Sequence, residues 1–234
     1  MRSIAELSET ELGGEHSVLV RQRRDHQYLD TLLQRIAATT GTDRQEALTQ
    51  LCRLVFPHAF AEEAVLWPMV RRLLPDGHEL TLRVEQEHQQ INELFTELEN
   101  LDPDSLDHRR LFERIADLLR EDVRDEEDVL LPKLQEAVSH ETLRRIGWAW
   151  WTVRITAPTR AHPTVARRPP GNALAALPLS PIDRSRDRLD HAARRAPARL
   201  ATVWRRTGHL LAGAAAAVEH VPPLRRGEDP TTRM

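Results

Sequence analysis

Residues 62–70 read Glu62-Glu63-Ala64-Val65-Leu66-Trp67-Pro68-Met69-Val70, and residues 126–134 read Glu126-Glu127-Asp128-Val129-Leu130-Leu131-Pro132-Lys133-Leu134. Five of these nine positions are identical at an offset of 64. A second echo lies upstream of each run. Asp25-His26-Gln27 matches Glu87-His88-Gln89 at an offset of 62, and Leu29, Leu32 and Leu33 match Ile91, Leu94 and Phe95. The chain therefore carries two copies of one helical hairpin, which predicts a pseudo-two-fold axis in the fold.

Working outward from the repeat, apolar residues recur at spacings of three and four, the period of an amphipathic helix. Val18, Leu29, Leu32, Leu33 and Ile36 mark a first helix from about Glu15, stopped by Gly41. Asp43 is the expected cap of a second helix reaching Leu74, with a kink expected at Pro57, where an amide hydrogen bond is lost. Pro75-Asp76-Gly77 forms a turn into a third helix, about Glu79 to Asn100. Asp102-Pro103-Asp104-Ser105 forms another and ends in an N-cap candidate. A fourth helix runs from Leu106 to Val138. No segment of this region reads as a strand. The expected class is all-α: an up-down-up-down four-helix bundle over residues 14–138, after a disordered stretch 1–13.

Beyond the bundle the reading gives a short fifth helix at 139–156, holding Trp148, Trp150 and Trp151 as a hydrophobic lid or interface. A Pro-rich extended linker follows at 157–181, with Arg167-Arg168-Pro169-Pro170 polyproline-like. Residues 182–220 read as an amphipathic helical extension interrupted by Pro197, and 221–234 as a disordered tail. This C-terminal extension is rich in Pro, Arg and Ala.

The repeat carries chemistry as well as shape. Each first helix of a hairpin places a His in its apolar stripe, His26 or His88. Each second helix places a pair four residues apart, His58 and Glu62 in one copy, Asp122 and Glu126 in the other. Positions i and i+4 stand one above the other on a helix face. Three imidazoles and three carboxylates then converge near the bundle axis. Buried together without a cation, such carboxylates would repel, and each would cost several kcal/mol to desolvate. A metal pair removes the conflict, and a mixed nitrogen and oxygen donor set suits Fe, Mn or Zn. Any one member alone has a blander reading: a single His in a stripe is ordinarily a core residue, and an acidic run ordinarily a solvated face. The symmetric placement of the set argues for the metal. Glu63 and Glu127 compete with Glu62 and Glu126 for the inward position, with the i+4 choice favoured unless the helix is distorted near Pro68 or Pro132.

His26, His58-x-x-x-Glu62, His88 and Asp122-x-x-x-Glu126 resemble the motif of the hemerythrin-like, HHE cation-binding family over about residues 14–138. The resemblance implies a four-helix bundle holding two non-haem iron ions, with Glu62 and Glu126 bridging and the three His as terminal ligands. Two positions depart from oxygen-carrying members. Val84 stands where a His-x-x-x-His pair would begin, and Asp122 stands where the fourth-helix motif usually begins with His. A harder, more carboxylate-rich site is expected. That weakens a reversible oxygen-carrier reading and leaves iron binding with sensing of, or reaction with, O2, NO or peroxide. A peroxidase- or catalase-like diiron enzyme is one alternative, and a metal-stabilised regulatory protein acting through its basic tail is another.

Composition bounds the rest. The chain has 234 residues, 40% hydrophobic and 29% charged, and a net charge of −3. The balance is uneven: residues 1–140 hold 16 Lys+Arg against 29 Asp+Glu, residues 141–234 hold 17 against 7. Lys133 is the only lysine, so the basic tail is an arginine tail. It is expected to dock on its own acidic bundle, to bind a partner, or to act as a linker. Nucleic acid is disfavoured, because no DNA-binding motif is present and aromatic residues are thinly interleaved. Cys52, the single cysteine, excludes an internal disulfide and a CxxC site. No signal peptide is visible, and the longest small-apolar run, Leu210 to Val218, is too short to span a bilayer. The expected location is cytoplasmic. The other histidines, including His108 and His162, fall outside the pattern.

Overall fold

The computed structural model describes residues 1–233, and among them there are helices and turns but no strand. The bundle is built from α1 (Val18–Ala38), α2 (Gly41–Ala61) continued by α3 (Trp67–Leu73), α4 (Gly77–Glu99), and α5 (Leu106–Asp125) continued by α6 (Leu131–Ala137). Short turns at 39–40, 74–76 and 100–105 make neighbours antiparallel. Ser17 and Ser105 cap α1 and α5, each hydroxyl accepting a hydrogen bond from a backbone amide of the first turn. Asp43 lies inside the first turn of α2 rather than at its cap, because the helix begins two residues earlier at Gly41, which has a positive φ of 56°.

Two apolar clusters fill the bundle. One gathers Leu19, Leu66, Trp67, Val70, Val84, Leu131 and Leu134. The other gathers Leu32, Leu33, Ile36, Leu51, Leu54, Phe56, Ile91, Phe95, Phe112, Ile115 and Leu119. On every bundle helix the switch from one cluster to the other falls at the candidate ligands: His26 on α1, His58 and Glu62 after α2, His88 on α4, Asp122 and Glu126 after α5. A layer of ionisable groups is thus walled by hydrocarbon on both sides.

The helices do not break where the prolines alone suggest. α2 runs on through Pro57. The irregular turns come at Glu62–Leu66 and Glu126–Leu130, which are π-helical, with Trp67 N–H bonding Glu62 O and Leu131 N–H bonding Glu126 O. Pro68 and Pro132 follow at once. Each ring crowds the carbonyl four residues back and offers no amide, so the turn before it widens.

The ends of the chain also differ from the expectation of disorder. Within residues 1–13, Ile4 and Leu12 are fully buried and Leu7 is buried with them against the first cluster. Three apolar side chains spaced along a polar stretch suffice to anchor it. α7 (His140–Thr156) lies against α1 and α2. Its Gly147 crosses the start of α1 so closely that a Cβ would stand 2.1 Å from His16 O.

The linker expected to be extended over 157–181 instead folds through bends and turns, with Ala157, Thr159, Val165 and Ala166 buried, as far as Pro170. There α8 (Gly171–Arg195) begins, running through Pro178 and Pro181, and pairs with α9 (Ala198–Glu219). Val165, Ala175, Leu179, Ala215 and Leu224 form a small core of their own, which outweighs the local proline signal. Leu224 lies in a short 3-10 turn, and Ala166 N–H and Gly171 N–H donate to Leu224 O and Arg226 O, so residues expected to be a disordered tail close this unit. Met234 lies outside the described residues. Among the described residues no helix is long and apolar enough to cross a membrane.

The extension meets the bundle through ion pairs: Arg160 with Glu99 at 3.2 Å, Arg168 with Glu85 at 2.7 Å and Arg194 with Glu46 at 2.7 Å. Within it, buried His162 bonds Glu219 through Nδ1 at 2.8 Å and Asp183 through Nε2 at 2.9 Å, and its amide donates to Asn92 Oδ1 of α4 at 3.0 Å. Burial would lower its pKa, but the two carboxylates outweigh that and raise it to about 9.

Two outcomes test this packing. Gly147→Ala forces backbone against backbone and should cost about 2 kcal/mol, a fall of roughly 4–8 °C in thermal midpoint for a chain of this size. The His162 contribution is complete below its unfolded pKa of about 6.5 and is lost as pH rises through its folded value of about 9. Proteolysis in the extension should therefore accelerate above that pH, and His162→Ala should remove the dependence.

Candidate metal centre

The widened turns solve a problem of direction. In a regular helix Glu62 and Glu63 would point about 100° apart. In the π turn both are buried, with Glu62 facing the bundle centre and Glu63 turned to His88. In the second copy Glu126 is buried and faces the centre, and half-buried Glu127 turns to His26. The two glutamates that compete in sequence thus have different partners.

All six sequence-derived residues are buried and converge. His58 Nε2 lies 3.1 Å from Glu62 Oε1, and His26 Nε2 lies 3.3 Å from both His58 Nε2 and Glu126 Oε2. His88 Nε2 lies 3.7 Å from Glu62 Oε2 and 3.6 Å from Asp122 Oδ1. Two donor sets result: His26, His58, Glu62 and Glu126 in one, His88, Asp122 and Glu126 in the other, each with its ligand atoms within 4.8 Å of one another. Glu126 belongs to both sets, and the two oxygens of Glu62 face the imidazoles of different sets.

The donor set fits a pair of cations. Both carboxylate oxygens of Glu62, Asp122 Oδ1 and Glu126 Oε1 are buried with no hydrogen-bond partner. Carboxylate oxygens left so in an apolar interior are costly, and a metal is the group that satisfies them. Without it the cluster balances its charge with protons. Burial works against a charged His26, but Glu126 and Glu127 hold the imidazole cationic and raise its pKa to about 10. His58 rises to about 9 against burial, through Glu62 and Asp25. Burial and the charges of Glu62 and Asp122 push Glu126 up to about 8, whereas Glu62 is held below its usual range by the histidines around it, against burial. A metal entering here displaces protons from the imidazoles.

The ring nitrogens turned away from the centre are also engaged. His26 Nδ1 is 2.8 Å from Glu127, His88 Nδ1 is 3.0 Å from Glu63, and His58 Nδ1 is 3.0 Å from Asp25. A carboxylate on Nδ1 fixes the proton there and leaves Nε2 as the electron-pair donor. The reading from sequence missed Asp25 in this role. Its signal was present, since an acid precedes the His in both copies. The symmetry ends there. Glu87, the counterpart of Asp25, faces no imidazole in its own copy's pair, because Asp122 replaces the histidine. Burial and the charges of Asp122 and Asp125 push Glu87 up to about 7.

Around the centre, Trp150 of α7 stands edge-on to His58 at 5.4 Å between ring centres, while Trp148 and Trp151 stay exposed beside Arg21. A cavity of about 20 Å³ adjoins the site, with Leu29, Leu54, Ile91 and Leu119 among its walls.

The hemerythrin HHE cation-binding domain model matches residues 18–134. An uncharacterised hemerythrin-like protein of Schizosaccharomyces pombe is 23% identical over 173 residues, 71% of this chain and 83% of that protein. A DNA nickase of a Nostoc species is 26% identical over 128 residues, 54% of this chain and 35% of that protein, so the match spans about a third of the nickase. No solved structure matches the chain.

Glu126→Gln separates metal binding from folding. Burial and the neighbouring carboxylates push the Glu126 carboxyl up, and glutamine keeps its size and polarity without the charge, so the substitution should leave metal-free folding largely intact. Saturating ferrous iron should raise the unfolding midpoint of the unmodified chain through binding to the folded state, and this rise should be lost in the variant.

Proposed function

The chain belongs to the hemerythrin HHE cation-binding domain family, and from that premise we propose that it is a non-haem diiron protein that senses or reacts with O2, NO or peroxide. The observation that carries the proposal is the pair of donor sets sharing Glu126, with Glu62 directed at both. Two carboxylates set to span two cations suit a dinuclear centre better than a single structural ion. His26, His58 and Glu62 would hold one iron, His88 and Asp122 the other, and Glu62 and Glu126 would bridge. Manganese or zinc satisfies the same donors, and iron is the proposal because small oxidants need a metal that changes valence.

The iron pair, when bound, supplies reversible electron exchange with a small oxidant. The chain's own residues do the rest. Asp25, Glu63 and Glu127 hold the Nδ1 protons and aim three Nε2 donors inward. Leu29, Leu54, Ile91 and Leu119 line a cavity of about 20 Å³, room for one molecule of a few atoms. A small space beside the ligands suits a diatomic gas or peroxide. Trp150, fully buried, packs edge-on against His58. Asp122 in place of an imidazole hardens the site, which favours the ferric state and reaction with oxidants over reversible oxygen carriage. Arginines of the extension are engaged with the bundle's own carboxylates, which supports docking of the extension on its own bundle rather than nucleic-acid binding.

Metal analysis with absorption spectroscopy tests this reading. The expected result is about two irons per chain, with near-ultraviolet ligand-to-iron absorption that bleaches on reduction and returns on exposure to air or peroxide. A chain that holds zinc or a single metal after iron reconstitution would refute it. Peroxide loss that disappears in His58→Ala would extend the assignment to an enzyme.

A further inference from the structure

The extension enters the bundle beside one ligand. His162 N–H donates to Asn92 Oδ1 at 3.0 Å and Gln89 Nε2 donates to Pro163 O at 2.9 Å, so the residues one and four beyond His88 on α4 grip the segment. Two arginines follow. Arg168 closes on Glu85, fully buried three residues before His88, at 2.7 Å. Arg167 is itself buried. Its Nη2 donates to the carbonyls of His162 at 2.9 Å and Val165 at 3.3 Å, and its Nη1 lies 3.8 Å from Glu63 Oε1. That oxygen is the one that accepts from His88 Nδ1 at 3.0 Å. Among the described residues Arg167 has no other carboxylate within ion-pair distance.

α7 repeats the arrangement at a second ligand, His58. Arg154 Nε lies 2.7 Å from Asp25 Oδ2, and the same oxygen accepts from His58 Nδ1 at 3.0 Å. Two chains of contact, arginine to carboxylate to imidazole, therefore reach the centre from segments beyond the bundle. Glu127, which serves His26, pairs with no arginine among the described residues.

Resting on the diiron reading above, we propose that Arg167, with Arg154 as its counterpart, is a positioning residue that sets the reduction potential of the centre and couples it to docking of the C-terminal extension. A carboxylate on Nδ1–H makes an imidazole a stronger electron donor. A guanidinium on that carboxylate draws its charge away and weakens the donation. The same positive charge, in a medium of low dielectric, disfavours the more positive, oxidised metal pair. Both effects raise the potential. By reciprocity, a docked cation that disfavours oxidation is itself disfavoured by oxidation. The extension is then held more loosely on the ferric centre than on the ferrous one.

The test uses the full chain loaded with iron. Redox titration followed by absorption compares the unmodified protein with Arg167→Met, Arg167→Lys and Arg154→Met, with iron content measured on each. The midpoint potential should fall in both methionine variants and stay near the unmodified value in Arg167→Lys. Limited proteolysis within residues 157–170 of the unmodified protein, which needs no variant to fold, should be about five-fold or more faster after oxidation than after reduction. Unchanged midpoints at full iron content, or equal cleavage in both redox states, overturn the inference and leave the diiron reading standing. An unmodified chain that takes up no iron overturns both.

Discussion

A layer of ionisable side chains lies across the middle of an apolar bundle, and the rest of the structure answers to it. Glu62, Glu126, Asp122 and three imidazoles sit where hydrocarbon closes in from both ends. Such a layer is stable only if every charge meets a counter-charge, a proton or a metal. Each of the four bundle helices changes from one apolar cluster to the other at its ligand. The two clusters therefore position the site as well as stabilise the fold.

The π turns are the local means by which one backbone serves two demands. A carboxylate must face the centre, and another must reach the far side of an imidazole from the other hairpin. Adjacent glutamates on a regular helix diverge too far for both to turn toward one interior. Widening the turn at Glu62–Leu66 and Glu126–Leu130 brings them in, and the proline two residues into the next helix holds it open. Pro57, alone and without such a doublet, does not interrupt its helix.

The extension answers to the same layer from outside. An acidic bundle with a basic C-terminal region might have been two independent parts. Instead Arg154, Arg167 and Arg168 carry positive charge to carboxylates that touch or neighbour the histidines, while His162 ties its own segment between Asp183 and Glu219. Buried arginines and buried acids stabilise one another only in place, so the ordering of residues 157–170 and the charge balance of the centre depend on the same contacts.

The all-α class, the four bundle helices and the six central residues were legible in the sequence because they follow from periodicity and from a repeat, and both are properties of the chain read in order. The i+4 choice of Glu62 and Glu126 followed from helix geometry. Asp25 left a trace in the acid that precedes the His of both copies, but its partner His58, and the partners of Glu63 and Glu127, were not legible, because a hydrogen bond to a ring nitrogen joins residues from different helices. Nor was the order of the ends: Ile4, Leu12 and Leu224 look like isolated apolar residues until a cavity elsewhere accepts them. Arg167 and Arg168 read as part of a solvated proline-rich linker, since burial of a guanidinium depends on a carboxylate waiting 100 or so residues away in the chain. Local pattern determined which residues became helix and which face turned inward. Tertiary structure alone decided which charges meet, because complementarity between distant side chains leaves no periodic trace in either partner.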